Sequence, residues 1–104
     1  MALPNVSLLS GGLNQAVVTI SNRANPAVCI HGDSLITLAS ISYKNALLWM
    51  RNAGEPGFPD DMLDEVVYLS NRLVSLVYAY NDAIRCSGAG AKLLDVQGLE
   101  LIDL

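Results

Sequence analysis

The amino-acid sequence predicts one α+β domain, mainly α, over residues 1–104. In this fold an antiparallel two-helix hairpin follows a small β-hairpin and precedes a short extended C-terminal tail. Apolar residues recur every three to four positions over 33–53 and 60–87, which predicts the two helices. Two short runs rich in Val and Ile within 13–31 predict the β-hairpin.

The N-terminal third of the chain is predicted to be extended. Residues 1–12 form an apolar lead, which can pack on the domain or add a strand. Residues 16–21 and 27–31 are the two β-runs, and the loop between them contains Asn, Arg and Pro, which favour a turn. Pro26 stands just before the second run, where its missing amide does not disturb the strand ladder.

The first helix is predicted to begin at Asp33 and to end near Ala53. Asp33 or Ser34 can accept hydrogen bonds from the free amides of the first turn. Gly54 follows at the position where a left-handed residue commonly ends a helix.

The second helix is predicted from its charge order. Its first two turns carry four acidic residues, Asp60, Asp61, Asp64 and Glu65. Arg85 lies near its C-terminal end and Gly88 just beyond, so charges at both ends complement the helix dipole. The connector 55–59 is short and contains two prolines, which favours an antiparallel arrangement of the helices.

The C-terminal tail, 92–104, alternates imperfectly between apolar and polar residues. It is consistent with one or two strands interrupted at Gly98, or with a short helix. Because so many of its residues are Leu, Ile or Val, we expect it to dock on its own chain or on a neighbouring copy.

Composition excludes several classes of protein. The net charge is −4 and the six Lys and Arg residues are scattered, which argues against a nucleic-acid binder. No apolar run approaches the length of a membrane span, and residues 1–10 lack the pattern of a secretory signal. We therefore expect a soluble cytoplasmic protein, or a virion protein if it is a particle component.

Charged residues make up only 15% of the chain, against about 25% in typical globular proteins. Charged side chains usually cover the surface of a small domain. The deficit predicts that a neighbouring copy covers part of this one, as in a homo-oligomer.

The sequence contains no catalytic motif, and we predict a non-enzymatic protein without cofactor or metal. Cys29 and His31 share one face of a strand, but a zinc site needs three or four ligands. Cys29 and Cys86 are interpreted as small buried apolar residues. The acidic first turns of the second helix are explained by the helix dipole rather than by cation binding.

Two apolar seams run side by side along the second helix. The first seam consists of Met62, Val66, Leu69, Leu73, Leu76, Tyr80 and Ala83. The second seam consists of Leu63, Val67, Val74, Val77 and Ile84, and is broken by Ser70 and Asn81. One seam suffices to dock a helix on one partner, so a second predicts association between copies. The predicted interface residues are Leu63, Val67, Val74, Val77, Ile84, Leu48, Leu101 and Leu104.

These features predict a structural or adaptor module that self-associates and acts through protein–protein contacts, as small components of phage and virus particles do. The alternative is an oligomeric protein that binds or sequesters a small anionic, nucleotide-like ligand. Aromatic and cationic side chains presented together can stack on such a ligand and pair with its charge. The candidate ligand-binding residues are Tyr43, Lys44, Tyr68, Arg72, Tyr78 and Arg85.

Overall fold

The computed structural model describes residues 5–11, 15–21, 23–88 and 90–104. The elements in chain order are β1 (Val6–Gly11), β2 (Gln15–Ile20), β3 (Ala27–Ile30), α1 (Gly32–Arg51) and α2 (Asp60–Ser87). The predicted class, α+β and mainly α with a helical hairpin after the strands, is confirmed.

The three strands form one antiparallel sheet in the order β1-β2-β3. Strands β2 and β3 form the predicted β-hairpin, and the N-terminal lead contributes β1 as a third strand. Val6 lies opposite Ile20, and a bulge interrupts the pairing between Leu8 and Ser10. The remainder of the predicted lead and the predicted start of the β-hairpin lie outside the described residues.

Helix α1 begins at Gly32, one residue before the predicted start, and ends at Arg51. Its N-cap residue, His31, has an extended backbone and makes no side-chain hydrogen bond to the cap. The prediction that Asp33 or Ser34 caps this helix is wrong, because both residues are already inside it.

Helix α2 covers the range that its charge order predicts. Asp60 and Asp61 lie in the first turn and Arg85 in the last. Gly88 ends the helix in the left-handed conformation, with φ of 69°, where a side chain is disfavoured.

The connector between the helices is braced by two aromatic rings. Trp49, in the last turns of α1, meets Phe58 edge to face with 5.1 Å between ring centroids. Such a pair adds about 1 kcal/mol beyond its buried area. It helps to hold the helices in their antiparallel hairpin.

One apolar cluster lies between the two helices and the C-terminal part of the chain. Its buried members are Leu35, Ala39, Val74, Val77 and Leu99. Ile36, Tyr43, Leu73, Tyr80, Leu94 and Val96 pack around them and are partly buried. We call these eleven residues the core cluster.

The C-terminal segment, defined as residues 90–104, is neither helix nor strand. The strands and the short helix considered for it are therefore not formed. It turns near Gly98, where the Leu99 amide donates a hydrogen bond of 2.9 Å to the Val96 carbonyl. Leu94, Val96 and Leu99 belong to the core cluster, so the segment docks on its own chain.

The chain is less compact than its length allows. Its radius of gyration is 16.6 Å, whereas a globular chain of this length has about 13 Å. The two helices contact each other extensively, and so do the strands of the sheet. No comparable contact joins the sheet to the helices among the described residues. Within that same part of the chain, neither helix combines the length and apolarity that crossing a bilayer requires.

Candidate interaction surfaces

The second seam of α2 faces the interior of the chain. Val67, Val74 and Val77 are buried, and so are Ser70 and Asn81, the two polar residues that interrupt this seam. Within the chain these three residues offer no surface to a second copy, which corrects the prediction that Val67, Val74 and Val77 form an interface between copies. Val74 and Val77 belong to the cluster of apolar residues in which they pack with α1 and the C-terminal segment.

The other five predicted interface residues remain accessible. Leu63 and Ile84 are half-buried near the ends of α2. Leu48, Leu101 and Leu104 are exposed. Their part in an interface stays a prediction.

The first seam carries the exposed apolar surface of the helical hairpin. Met62, Leu69 and Leu76 recur at intervals of seven residues on α2, and all three are exposed. On α1, Leu38 and Ile41 are exposed in the same way. Exposed apolar surface is thus present on α2, but on the first seam rather than on the second seam, to which the interface was assigned.

The sheet has one face that is apolar throughout. Residues directly opposite in an antiparallel pair project to the same side of a sheet, so the register defines each face. We call this the sheet face, and it carries Val6, Leu8, Ala16, Val18, Ile20, Ala27 and Cys29. The other face mixes polar and apolar side chains, with Ser7, Ser10, Thr19, Val17, Val28 and Ile30.

Three of the seven residues of the sheet face are exposed to solvent, and Ala16, Ile20 and Ala27 are half-buried. Val6 is 61% exposed and Leu8 67% exposed, and Cys29 is exposed as well. Only Val18, at the centre of the face, is buried. An apolar face of this kind is normally covered by a helix, a second sheet or a partner.

The six candidate ligand-binding residues do not form one site. Tyr68 and Arg72 both line a shallow depression of about 220 Å³ on α2, together with Asn71, Ser75 and Leu101. Tyr68 is 70% exposed, so its ring is free to stack. This pair is the only part of the predicted ligand site that the depression brings together.

The remaining candidates have other contacts or positions. Tyr43 packs against the core cluster. The Tyr78 hydroxyl donates a hydrogen bond of 2.9 Å to the Leu99 carbonyl. Arg85 forms a surface ion pair of 3.0 Å with Asp82, and Lys44 is exposed on α1. These residues therefore do not extend the depression.

Two asparagines of α2 hold the C-terminal segment by its backbone. The Asn81 side-chain amide donates to the Leu94 carbonyl at 3.0 Å, and the Leu94 amide donates to Asn81 Oδ1 at 2.8 Å. Asn71 makes the same pair of bonds to Ile102, at 2.8 and 2.7 Å. We call Asn71 and Asn81 the asparagine clamps.

Both cysteines contradict the interpretation that they are buried. Cys29 lies on the outer strand β3 and Cys86 in the last turn of α2, and both are exposed. Neither site is covered within the chain, because the sheet face is open and the end of α2 projects past the core cluster. Both thiols are accessible to reagents.

Sequence reasoning missed the sheet face and the asparagine clamps. The face depends on β1, whose pairing fixes which residues share a side with Val18. The sequence signal at Asn81 is misleading, because a polar residue inside an apolar seam usually faces solvent. Here Asn81 lies inward because the C-terminal segment satisfies its amide.

Comparison with known proteins gives a family but no activity. A family model matches residues 1–91, and it is described as a family of unknown function (DUF6959). The match includes the sheet, both helices and the asparagine clamps, and it ends before most of the C-terminal segment. No curated protein and no solved structure matches the chain.

Proposed function

We propose that this chain, which belongs to the DUF6959 family, is a non-enzymatic module that self-associates through its sheet face and acts through protein–protein contacts. The observation that carries the proposal is a three-stranded sheet with one wholly apolar face that, within the described ranges, does not pack extensively on the helices.

The amount of exposed surface supports this proposal. The chain exposes 7,666 Å², whereas a compact monomer of 11.1 kDa exposes about 5,700 Å². The excess of about 2,000 Å² is larger than the roughly 800 Å² that each partner buries in a standard interface. The chain therefore has enough surplus surface for one interface of standard size.

The energetics favour covering this face. Full burial of a Val or Leu side chain stabilises by about 1.5–3 kcal/mol. Val6 and Leu8 are each nearly two thirds exposed, so covering both contributes about 2–4 kcal/mol per copy. In a symmetric dimer the same face contributes twice.

The sheet also has the edges that association can use. Strands β1 and β3 lie at its two edges, with backbone groups available to another strand. Neither edge strand contains a charged residue that would repel another strand, since β1 reads VSLLSG and β3 reads AVCI. The sequence of the edges thus does not oppose contact with a second copy.

A single charged substitution tests the proposal. Leu8→Glu places a carboxylate at the sheet face, and an unpaired buried charge costs about 3–5 kcal/mol. The dissociation constant should rise more than about 100-fold, since 1.4 kcal/mol corresponds to tenfold. Size-exclusion chromatography with light scattering across the micromolar range measures the change.

Ser7→Glu is the matched control, because it adds the same charge to the same strand on the opposite face. It should leave the oligomeric state unchanged. A wild-type chain that remains at 11.1 kDa throughout the micromolar range would refute the proposal.

The Tyr68–Arg72 depression supports a second candidate function, the binding of an anionic planar ligand. Tyr68 offers an open aromatic face and Arg72 an exposed cation beside it. A thermal-shift screen with nucleotides tests this candidate. A stabilisation that disappears in Arg72→Ala but persists in Arg85→Ala would support it, because Arg85 lies away from the depression and is paired with Asp82.

A further inference from the structure

The contacts of the C-terminal segment have the chemistry of a peptide bound in a groove. A side-chain amide presents one donor and one acceptor, the same pair that a neighbouring β-strand presents. Asn81 uses both with Leu94, and Asn71 uses both with Ile102. The two residues at the ends of the docked stretch thus have their backbone amide and carbonyl satisfied by side chains of α2.

The order of the contacts defines a direction. Asn81, Tyr78 and Asn71 bind, in turn, Leu94, Leu99 and Ile102, so the segment runs antiparallel to α2. The clamps are ten residues apart, about 15 Å along a helix. Eight fully extended residues would span about 26 Å. The turn near Gly98 shortens the segment so that its two ends reach the two clamps.

All five hydrogen bonds between side chains of α2 and the segment use backbone atoms of the segment, three as acceptors and two as donors, so they do not depend on its side chains. Selectivity comes instead from the apolar residues that enter the core cluster, Leu94, Val96 and Leu99. The start of α1 completes the groove, since a Cβ atom placed on Gly32 would lie 3.3 Å from the Leu94 side chain. The site therefore fits a peptide that turns at its fifth position and carries apolar residues at its first, third and sixth positions.

We infer that the helical hairpin is a peptide-binding groove, that residues 94–102 are its built-in ligand, and that two copies exchange this ligand. The second copy is the natural donor because it carries the same peptide, and exchange replaces each contact with an identical one. The inference rests on the proposed self-association, since copies that meet through the sheet face hold their peptides at high effective concentration.

The connection to the segment is compatible with exchange. Helix α2 ends at Ser87, and the segment from Gly90 onward makes no strand or helix that would have to unfold. A Cβ atom placed on Gly90 would have no other atom within 4 Å, and Lys92 and Leu93 are exposed. Rerouting residues 90–93 thus breaks few contacts before the first clamp.

A disulfide-trapping experiment on the full chain tests the inference. Ser75 and Leu101 line the same depression, one on α2 and one on the segment. A chain with Ser75→Cys is mixed with a chain carrying Leu101→Cys, both with Cys29→Ala and Cys86→Ala, and oxidised glutathione is added. Exchange predicts a covalent heterodimer as the major disulfide product, with peptide mapping locating the bond between the two introduced thiols.

Two further samples make every result decisive. In the mixture of Glu65→Cys with Leu101→Cys, the first thiol lies about 15 Å from position 75 along α2, and the heterodimer should fall to background. The double variant Ser75→Cys/Leu101→Cys should form a disulfide readily. If it forms none, the segment does not occupy the groove and the inference is overturned.

Light scattering on the same unoxidised mixtures separates this inference from the proposed function. Oligomers that yield no heterodimer, while the double variant closes only within one chain, would overturn exchange and leave self-association standing. A monomer at all concentrations would overturn both.

Discussion

The helical hairpin and the sheet contain similar apolar residues, but the hairpin buries them more completely than the sheet does. In the hairpin, Val74 and Val77 are fully buried and even a polar residue, Asn81, is enclosed and hydrogen-bonded. In the sheet, Val6 and Val28 are more than 60% exposed. The C-terminal segment packs with the second seam of α2, whereas among the described residues neither helix packs extensively on the sheet. This difference is why we propose the sheet face, rather than the second seam, as the self-association surface.

The largest expected effect concerns the clamp that closes the hairpin. Asn81→Leu removes both hydrogen bonds to Leu94 and leaves its amide and carbonyl without their partners in a partly buried site. Each unsatisfied group costs about 1–3 kcal/mol, so the free energy of unfolding should fall by about 3 kcal/mol. Urea denaturation at low protein concentration measures it.

Asn45→Leu is the control for this change, because Asn45 is exposed on α1. It should alter stability by less than about 0.5 kcal/mol. Equal effects of the two substitutions would show that Asn81 does not hold the segment.

A pair of identical substitutions compares the two regions directly. Val77→Ala opens a cavity in the core cluster and should destabilise the chain by about 2 kcal/mol. Val6→Ala, at an exposed position of the sheet face, should cost less than about 0.5 kcal/mol. Denaturant midpoints and slopes for both variants give the difference. If Val6→Ala matches Val77→Ala in dilute monomer, the sheet face is covered within the chain and the contrast fails.

A smaller effect should be stabilising. The Ser70 hydroxyl oxygen is buried and has no hydrogen-bond partner among the described residues. Ser70→Ala removes this unsatisfied group and should raise the free energy of unfolding by about 1 kcal/mol. Ser75→Ala, on the same helix and less buried, carries the same gain in helix propensity and serves as reference. A loss of stability in Ser70→Ala relative to this reference would contradict the assignment.

The sequence predicts the hairpin better than its surroundings, for physical reasons. The bounds of α2 follow from local chemistry, with acidic residues at its start and Gly88 at its end. The sequence does not show that the second seam of α2 faces inward, because its polar residues Ser70 and Asn81 favour a solvent-exposed position. Asn81 can face inward because Leu94, distant in the sequence, forms hydrogen bonds with it. Such a contact between distant residues leaves no periodic pattern.

The same limit applies to the sheet. The β-runs of β2 and β3 are visible as local composition, but the face they share with β1 depends on register. The register of β1 against β2 places Val6, Leu8 and Val18 on the same face. A shift of one residue would move the side chains of β1 to the opposite face. The surplus of apolar surface is predictable from composition, whereas its location is not.

The most direct test of the central claim is amide hydrogen exchange of the wild-type chain at several protein concentrations. Self-association through the sheet face predicts that amides of β1 and β3 become more protected as concentration rises, because a second copy covers the sheet. Amides in the middle of α2 should keep the same protection at low concentration, since a C-terminal segment, its own or the second copy's, packs on the hairpin at every concentration. Sheet amides that exchange equally fast at every concentration would contradict the claim.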